Sequence, residues 1–288
     1  MPYLVPETVE EALVLLRDRG PTILAGCTDA FAGQKPGPRT QHFLDVAGLR
    51  DLRGIDRTPA GWRIGAATTW TEVARAALPP AFDALKQAAA EVGAIQIQNA
   101  GTIAGNICNA SPAADGVPPL LALDARVEVG SAAGRRSVAL ADFITGVRRI
   151  DLAPDEMVLA LHVPHLEGAA GSAFLKLGGR MSLAISVAMV AAVVRIGDAR
   201  LAEVRLAVGA CSPVARRLPA LESHLQGRNP ADLAGLAIDR AEHLRPLAPI
   251  DDMRGSARYR IAAVEELCRR AVIKAAEAAG GADADAGG

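Results

Sequence analysis

Two segments of the chain place glycine beside hydroxyl, amide and carboxylate side chains at short spacing. They are LAGCTDA at residues 24–30 and GTIAGNICNASPAAD at residues 101–115. Glycine allows the backbone to approach a ligand closely, and successive backbone amides in one turn suit an anion such as phosphate. We therefore predict a turn of small residues at each segment, the first of them directly after an apolar strand.

The first segment offers Gly26, Cys27, Thr28 and Asp29 to an anion. The same residues also fit an ordinary strand-to-loop turn, in which Gly26 takes a positive φ and Thr28 and Asp29 cap the next turn. Taken alone, this segment does not separate the two interpretations.

The second segment is chemically richer. Its neutral hydrogen-bonding side chains are those of Thr102, Asn106, Asn109 and Ser111, while Gly101 and Gly105 keep the backbone open. Asp115 adds one carboxylate, which can accept hydrogen bonds from sugar hydroxyl groups. No Gly-Lys-Ser/Thr sequence is present, and no G-x-G-x-x-G opens a helix after a strand, so neither a Walker nor a Rossmann site is indicated. A sugar diphosphate would have to be held by two separated loops.

The composition restricts the class of partner. The chain has 288 residues, 50% of them hydrophobic, and a formal net charge of -1, which gives no electrostatic reason to bind nucleic acid or an anionic membrane. Four scattered cysteines form no CxxC pair, and no two histidines have metal-ligand spacing, so we expect no metal site. With no signal-peptide pattern and no apolar run long enough to cross a bilayer, we expect a cytoplasmic protein.

The pattern of hydrophobic residues predicts an α+β fold with a domain boundary near residue 168. Before it, a helix at 6–19 and two short strands are followed by helices and a strand-rich region at 120–165. After it, three apolar runs predict strands, with a hairpin at Gly197–Asp198. Two helical stretches at 230–244 and 256–279 complete the chain, and the segment 281–288 is too poor in apolar residues to fold.

In combination, LAGCTDA and VGAIQIQNAGTIAGNICNASPAAD at 92–115 resemble the flavin-binding medium subunit of the molybdenum hydroxylases. This family includes xanthine dehydrogenases and carbon monoxide dehydrogenases. Three later segments are similar to the family in the same order: FITGVRRIDLAPDEMVLALHVP at 143–164, FLKLGGRMSLAISVAMVAAVV at 174–194, and VRLAVGACSP at 204–213. The resemblance thus covers nearly the whole chain.

The resemblance implies a specific architecture. It implies an FAD-binding domain of the vanillyl-alcohol-oxidase-like (PCMH) type at 1–168, with one lobe at about 1–56 and another at about 57–168. A C-terminal α+β domain with a three-stranded antiparallel sheet and helices would follow at 169–280, and a disordered tail at 281–288.

The resemblance also implies which residues hold FAD. The first segment would wrap the diphosphate, the second would bind the diphosphate and sugar alcohols, Leu159 would pack on the flavin, and Lys176 would lie near the isoalloxazine. Without the resemblance, Lys176 reads equally well as an exposed strand residue. The full set is Leu24, Ala25, Gly26, Cys27, Thr28, Asp29, Thr102, Gly105, Asn106, Asn109, Asp115, Leu159 and Lys176.

The chain departs from the family pattern at three positions. The family usually has glycine where Cys27 and Ala104 stand, and arginine where Gln98 stands. The Cys27 thiol is either a tolerated small side chain or a redox sensor. The arginine pairs 135–136 and 148–149 are interpreted as surface or subunit-interface charges.

The function implied is an electron-transfer subunit rather than a self-contained enzyme. FAD would receive electrons from two iron–sulfur clusters on a small subunit, which draw them from a molybdopterin centre on a large subunit, in a dimer of heterotrimers. The final acceptor would be NAD, a quinone or oxygen. Two alternatives remain open: a stand-alone FAD-dependent reductase or oxidase of the same fold, and a scaffold that has lost its flavin.

Overall fold

The computed structural model describes residues 3–31, 42–180 and 183–286, and for 282–286 the backbone alone. The N-terminal lobe is a three-stranded parallel sheet in the order β1-β3-β2 with one helix. Its elements are β1 (Tyr3–Leu4), α1 (Val9–Arg19), β2 (Thr22–Leu24) and β3 (Phe43–Asp45). Thr8 caps α1 by accepting from the Glu11 amide, and Gly20 ends it in the left-handed conformation, as the sequence predicts.

The second lobe is built on a five-stranded antiparallel sheet in the order β4-β5-β10-β6-β7. Helices lie between the strands along the chain. The elements are β4 (Ile55–Thr58), β5 (Gly61–Gly65), α2 (Trp70–Arg75), α3 (Asp83–Glu91), α4 (Ile95–Ala100), α5 (Ile103–Asn109), α6 (Val117–Ala122), β6 (Arg126–Ser131), β7 (Gly134–Ala139), α7 (Leu140–Phe143), β8 (Ile144–Gly146), β9 (Arg149–Ile150) and β10 (Met157–Pro164). Single 3-10 turns lie at Arg50–Leu52 and Pro80–Phe82.

The C-terminal domain is an antiparallel sheet in the order β11-β12-β13-β14, covered by a long helix. The elements are β11 (Ala170–Gly178), β12 (Ser186–Gly197), β13 (Arg200–Gly209), β14 (Arg216–Arg217), α8 (Pro219–Leu225), a 3-10 helix (Pro230–Gly235), α9 (Arg240–His243) and α10 (Ala257–Ala286). The hairpin predicted at Gly197–Asp198 is present, with its turn one residue later: Gly197 pairs with Arg200, and Asp198 and Ala199 take left-handed φ values of 50° and 56°.

Three predictions about this domain are wrong. The sheet has four strands rather than three, because β14 is only two residues long and leaves no periodic pattern. The stretch 230–244 is two short helices rather than one. Helix α10 continues to Ala286, through most of the segment 281–288 expected to be disordered; alanine is the best helix former, and extending an existing helix needs no new nucleus.

Strand β12 joins the two domains through its two faces. Met189, Ala191 and Val193 pack into the core of the N-terminal domain, while Val190 and Val194 pack with α10. Because side chains alternate between the faces of a strand, a strand buried on both faces is apolar throughout. This accounts for the continuous apolar run that ends the family-like segment at 174–194.

Candidate functional site

The first segment leaves the end of β2 and packs directly on the second segment. Leu24 is buried beneath the turn, and its carbonyl accepts from the Val46 amide at 2.9 Å. A Cβ atom on Gly26 would lie 1.9 Å from the carbonyl oxygen of Ala100, and one on Gly101 would lie 3.5 Å from Oγ1 of Thr28. Gly26 is therefore required for the contact between the two segments.

Cys27 occupies a backbone conformation that favours glycine. Its φ is 56°, the side chain is exposed, and the thiol donates a weak hydrogen bond to the Ala25 carbonyl at 3.5 Å. Partial burial, and then the nearby Asp45 carboxylate, raise the pKa of this thiol above its ordinary value. A raised pKa disfavours the reactive thiolate, which argues against the redox-sensor interpretation.

The second segment is a short helix rather than the predicted turn. Oγ1 of Thr102 accepts from the Gly105 amide at 3.1 Å and so caps α5. Ile103 and Ile107 are both fully buried, one helical turn apart. Threonine favours the N-cap position, and apolar residues four apart favour a helix, so the pattern was present in the sequence but was obscured by the glycines.

A cavity of about 520 Å³ is lined by residues of both segments. Nine of the residues implied by the resemblance line it: Ala25, Gly26, Cys27, Thr28, Asp29, Thr102, Gly105, Asn106 and Asn109. Among the described residues in its wall, Asp29 and Glu156 carry the only formal charges, and Glu156 is paired with Arg136 at 2.7 Å. The cavity therefore binds mainly through backbone groups, neutral polar side chains and apolar surface.

The sequence did not predict the part of the cavity wall that comes from the residues after β5 and around the start of β10. It consists of Ala66, Ala67 and Trp70, from the turn after β5, together with residues 152–154 and 156–158 before and at the start of β10. Apart from Glu156 these residues are apolar, and only the fold brings them to the cavity. Nothing in their local spacing marks them as part of a binding site.

A buried polar side-chain atom at the cavity lacks a hydrogen-bond partner among the described residues. Oδ1 of Asn106 is buried and accepts no hydrogen bond from the described residues. It lies 3.0 Å from the position that a Cβ atom on Gly116 would take. A buried acceptor of this kind costs free energy unless a donor reaches it, and a ligand hydroxyl or amino group is such a donor. The cavity thus fits a ligand that carries sugar hydroxyl groups, as FAD does.

Asn109 has an unexpected partner. Arg148, interpreted from the sequence as one of a surface pair, takes a φ of 57° and donates from Nη1 to both the carbonyl and the side-chain oxygen of Asn109; the contact to the carbonyl is 3.0 Å. Arg148 therefore brings positive charge to the rim of a cavity whose described wall has no unpaired cation. Gln98 does not line the cavity and donates to the Ala90 carbonyl instead.

Asp115 and Lys176 form a second part of the candidate site. Nζ of Lys176 lies 2.6 Å from Oδ2 of Asp115, and both side chains are about nine-tenths buried, at 9% and 10% exposure. The hydroxyl of Ser186 donates to the other carboxylate oxygen at 2.6 Å. Neither Asp115 nor Lys176 lines the main cavity; Lys176 lines a neighbouring cleft with Glu91 and Arg180. The alternative that Lys176 is an exposed strand residue is wrong.

Burial controls the charge state of this pair. Desolvation raises the pKa of Asp115 above its ordinary value, while Lys176 and then Ser186 act in the opposite direction. Both partners come from the C-terminal domain, whereas Asp115 belongs to the loop before α6. The ion pair therefore ties the charge of Asp115 to the packing of the two domains.

Leu159 lies apart from the main cavity. Its side chain is 1% exposed and packs on Gly130, where a Cβ atom would be 2.6 Å from Cδ1 of Leu159. Its neighbours Met157 and Val158 line the cavity, and its own carbonyl accepts from the Ala66 amide at 3.0 Å. A contact between the Leu159 side chain and the flavin stays a prediction that this geometry does not support.

In the part of the chain that the structure describes, no three His, Cys, Asp or Glu side chains are placed to hold a metal ion. Within the same residues, no helix combines the length and the apolar character needed to span a membrane.

Comparisons with known proteins agree with the two-domain architecture. Residues 1–166 match a family model described as the FAD binding domain in molybdopterin dehydrogenase, and residues 173–275 match the CO dehydrogenase flavoprotein C-terminal domain. The chain is 33% identical to the xanthine dehydrogenase FAD-binding subunit of Escherichia coli O157:H7 over 279 residues, 95% of each chain. It is 36% identical to the nicotinate dehydrogenase FAD-subunit of Eubacterium barkeri over 209 residues, 68% of this chain and 69% of that one.

A solved structure shows the same fold. Carbon monoxide dehydrogenase from Hydrogenophaga pseudoflava, in a form that lacks the Mo-pyranopterin moiety of its cofactor, superimposes with a TM-score of 0.84 at 26% identity. The match covers 96% of this chain and 98% of that one. The predicted α+β class, with an FAD-binding domain followed by a C-terminal domain, is confirmed.

Proposed function

Because the chain belongs to the family of FAD-binding subunits of molybdenum hydroxylases, an oxidoreductase family, we propose that it transfers electrons within such a complex. Electrons would pass from iron–sulfur clusters of a small partner subunit to FAD on this chain, and from there to an external acceptor. FAD supplies the redox chemistry when bound, so this chain's own residues bind it, orient it and set its surroundings.

The observation that carries the proposal is the cavity formed where Gly26 meets Ala100. Backbone groups of residues 25–29 and the polar side chains of Thr102, Asn106 and Asn109 converge on it. We assign the diphosphate and sugar alcohols of FAD to this cavity. The unpartnered Oδ1 of Asn106 supports the assignment, because a sugar hydroxyl would give it the donor that it needs.

Asp115 and Lys176 are assigned to the part of the site beyond the main cavity. A carboxylate has about four acceptor positions, and the hydrogen bonds from Lys176 and Ser186 use two of those on Asp115. The remainder are free to accept from hydroxyl groups of the cofactor. Lys176 would add positive charge near the isoalloxazine, where it would stabilise negative charge on the reduced ring.

We infer the partner subunits from the same family membership. The relatives are named as FAD subunits of dehydrogenases, which supports a complex with a large molybdopterin-binding subunit and a small 2Fe-2S subunit, assembled as a dimer of heterotrimers. All four cysteines of this chain are free, which is consistent with a reducing, cytoplasmic location.

The proposal is tested by co-expression with a candidate large molybdopterin-binding subunit and a candidate small 2Fe-2S subunit. We expect the three chains to co-purify in equal amounts, and substrate of the large subunit to bleach the flavin absorbance only when the small subunit is present. Bleaching by a substrate in the absence of both partners would instead favour the stand-alone reductase. Absence of flavin from the purified complex would favour the scaffold.

A further inference from the structure

The hydroxyl group of Ser186 lies against the Asp115 carboxylate. Ser186 is the first residue of β12 and is 2% exposed, and its Oγ donates to Oδ1 of Asp115 at 2.6 Å. Lys176, on β11, occupies the other carboxylate oxygen at the same distance. Two side chains of the C-terminal domain therefore hold one carboxylate of the N-terminal domain, one on each oxygen.

A β-bulge makes this arrangement possible. Lys176 pairs with Met189, and Leu177 pairs with Ala188, but Gly178 pairs with Ser186 rather than Val187. Paired residues share a face of the sheet, and successive residues alternate between faces. Without the bulge Ser186 would lie on the face opposite to Lys176; the extra residue, Val187, turns it to the same face.

Asp115 is also connected to the main cavity through the backbone. The next residue, Gly116, lies against the unpartnered Oδ1 of Asn106 and against the Trp70 ring, and both Asn106 and Trp70 line the cavity. Asp115 is therefore adjacent in the chain to a residue that packs against two side chains of the cavity wall. Ser186 itself lines neither the cavity nor the cleft that contains Lys176.

We propose that Ser186 is a positioning residue of the flavin site, which fixes the Asp115 carboxylate from the C-terminal domain in the orientation that the cofactor's hydroxyl groups require. The proposal rests on the assignment of FAD to this chain. It makes the affinity for FAD dependent on the second domain, although the main cavity is lined by the first.

The charges around Asp115 determine how the proposal is tested. Lys176 is the charged side chain in contact with it, and Glu91 and Arg180 line the same cleft as Lys176. A hydrogen bond to the ionised form of a carboxylate lowers its pKa, so the loss of the Ser186 hydroxyl raises the pKa of Asp115 further. As the pH falls, the variant should therefore lose affinity for FAD at a higher pH than the wild type does.

The experiment is a fluorescence titration of FAD into flavin-free full-length protein, repeated from neutral to acidic pH. For Ser186→Ala we expect about a ten-fold higher Kd for FAD at neutral pH, which corresponds to the loss of one hydrogen bond to a charged group. We also expect the pH below which affinity is lost to shift upward. Ser186→Cys keeps the shape with a weak donor, and should shift the profile in the same direction by less. It serves as the variant to measure if the alanine variant does not fold.

Ser172 provides the matched control. It is also 2% exposed and also crosses the domain interface, where its Oγ accepts from the Ala84 amide at 2.8 Å and donates to the Pro80 carbonyl at 3.0 Å. Ser172→Ala should leave the pH profile of FAD binding unchanged. An equal shift in that variant, or wild-type behaviour of both Ser186 variants, would overturn the inference alone. Failure of the wild-type chain to bind FAD would overturn the proposed function with it.

Discussion

Gly26 and Ala100 are in backbone contact so close that the first of them can carry no side chain: a Cβ atom would lie 1.9 Å from the Ala100 carbonyl oxygen. The contact joins the turn after β2 in the N-terminal lobe to the last residue of α4 in the second lobe. The candidate cofactor cavity exists because these two segments meet in this way.

Gly26→Ala should therefore separate the two segments. We expect the free energy of unfolding to fall by about 1–3 kcal/mol, the usual range for overpacking, and FAD affinity to fall by more than the stability loss explains. Urea unfolding and FAD titration measure the two effects. Gly48→Ala is the control, since a Cβ atom there has open space; equal effects of the two substitutions would contradict the geometric account.

Cys27→Gly should stabilise the protein. The left-handed backbone of Cys27 costs a non-glycine residue about 1–2 kcal/mol, and glycine removes that cost while losing only an exposed side chain. Part of the gain is lost to the greater freedom of glycine in the unfolded chain, so we expect a net increase of about 0.5–1 kcal/mol in urea unfolding. Cys27→Ala removes the thiol without relieving the backbone and should show no gain. A gain of equal size in both variants would assign the effect to the thiol instead.

FAD should protect Cys27 from alkylation. The thiol is exposed and lines the cavity, so it should react in the flavin-free protein, slowly at neutral pH because its pKa is raised, and faster as the pH increases. Mass spectrometry after timed labelling should show at least a several-fold slower reaction with FAD bound. Cys211 and Cys268 are fully buried and serve as internal controls that report unfolding. An unchanged rate at Cys27 would place the cofactor elsewhere.

Lys176→Met should destabilise the protein, because the buried Asp115 carboxylate loses its cationic partner. Removing one partner of a buried ion pair typically destabilises by about 3 kcal/mol, because the other charge remains without compensation. Without Lys176 the pKa of Asp115 rises further in the folded state, so the folded protein binds a proton at a pH where the unfolded chain does not. The stability deficit relative to the wild type should then shrink as the pH falls.

The double variant Asp115→Asn with Lys176→Met is the control for that experiment. It removes both charges, so its stability should approach the wild type and its difference from the wild type should vary less with pH. A deficit in Lys176→Met that is constant with pH would mean that Asp115 does not carry the buried charge.

The strand and turn of the first segment could be predicted from the sequence, because adjacent residues determine them. Thr22–Leu24 is a short apolar strand, and the residues after it are small and polar, so a turn was the simple prediction. The second segment contains glycines and asparagines of the same kind, yet it folds as a helix, because burial of Ile103 and Ile107 outweighs the low helix propensity of Gly105.

The remaining parts of the site depend on contacts between distant residues. Asp115 and Lys176 are 61 positions apart and meet only because β11 packs across the first domain. Ser186 carries no signal at all in the sequence, since its direction is set by a bulge one residue long. The family resemblance identified Asp115 and Lys176, but neither it nor the local pattern could indicate that they form an ion pair or that Ser186 completes it.

Equilibrium titration of the flavin-free chain with FAD measures whether the cofactor binds in the cavity lined by the two segments. We expect saturable binding of one FAD per chain, a yellow complex after gel filtration, and loss of that binding in Gly26→Ala but not in Gly48→Ala. A chain that remains colourless and leaves FAD fluorescence unchanged, or one in which both glycine variants bind as the wild type does, would contradict binding of FAD in this cavity.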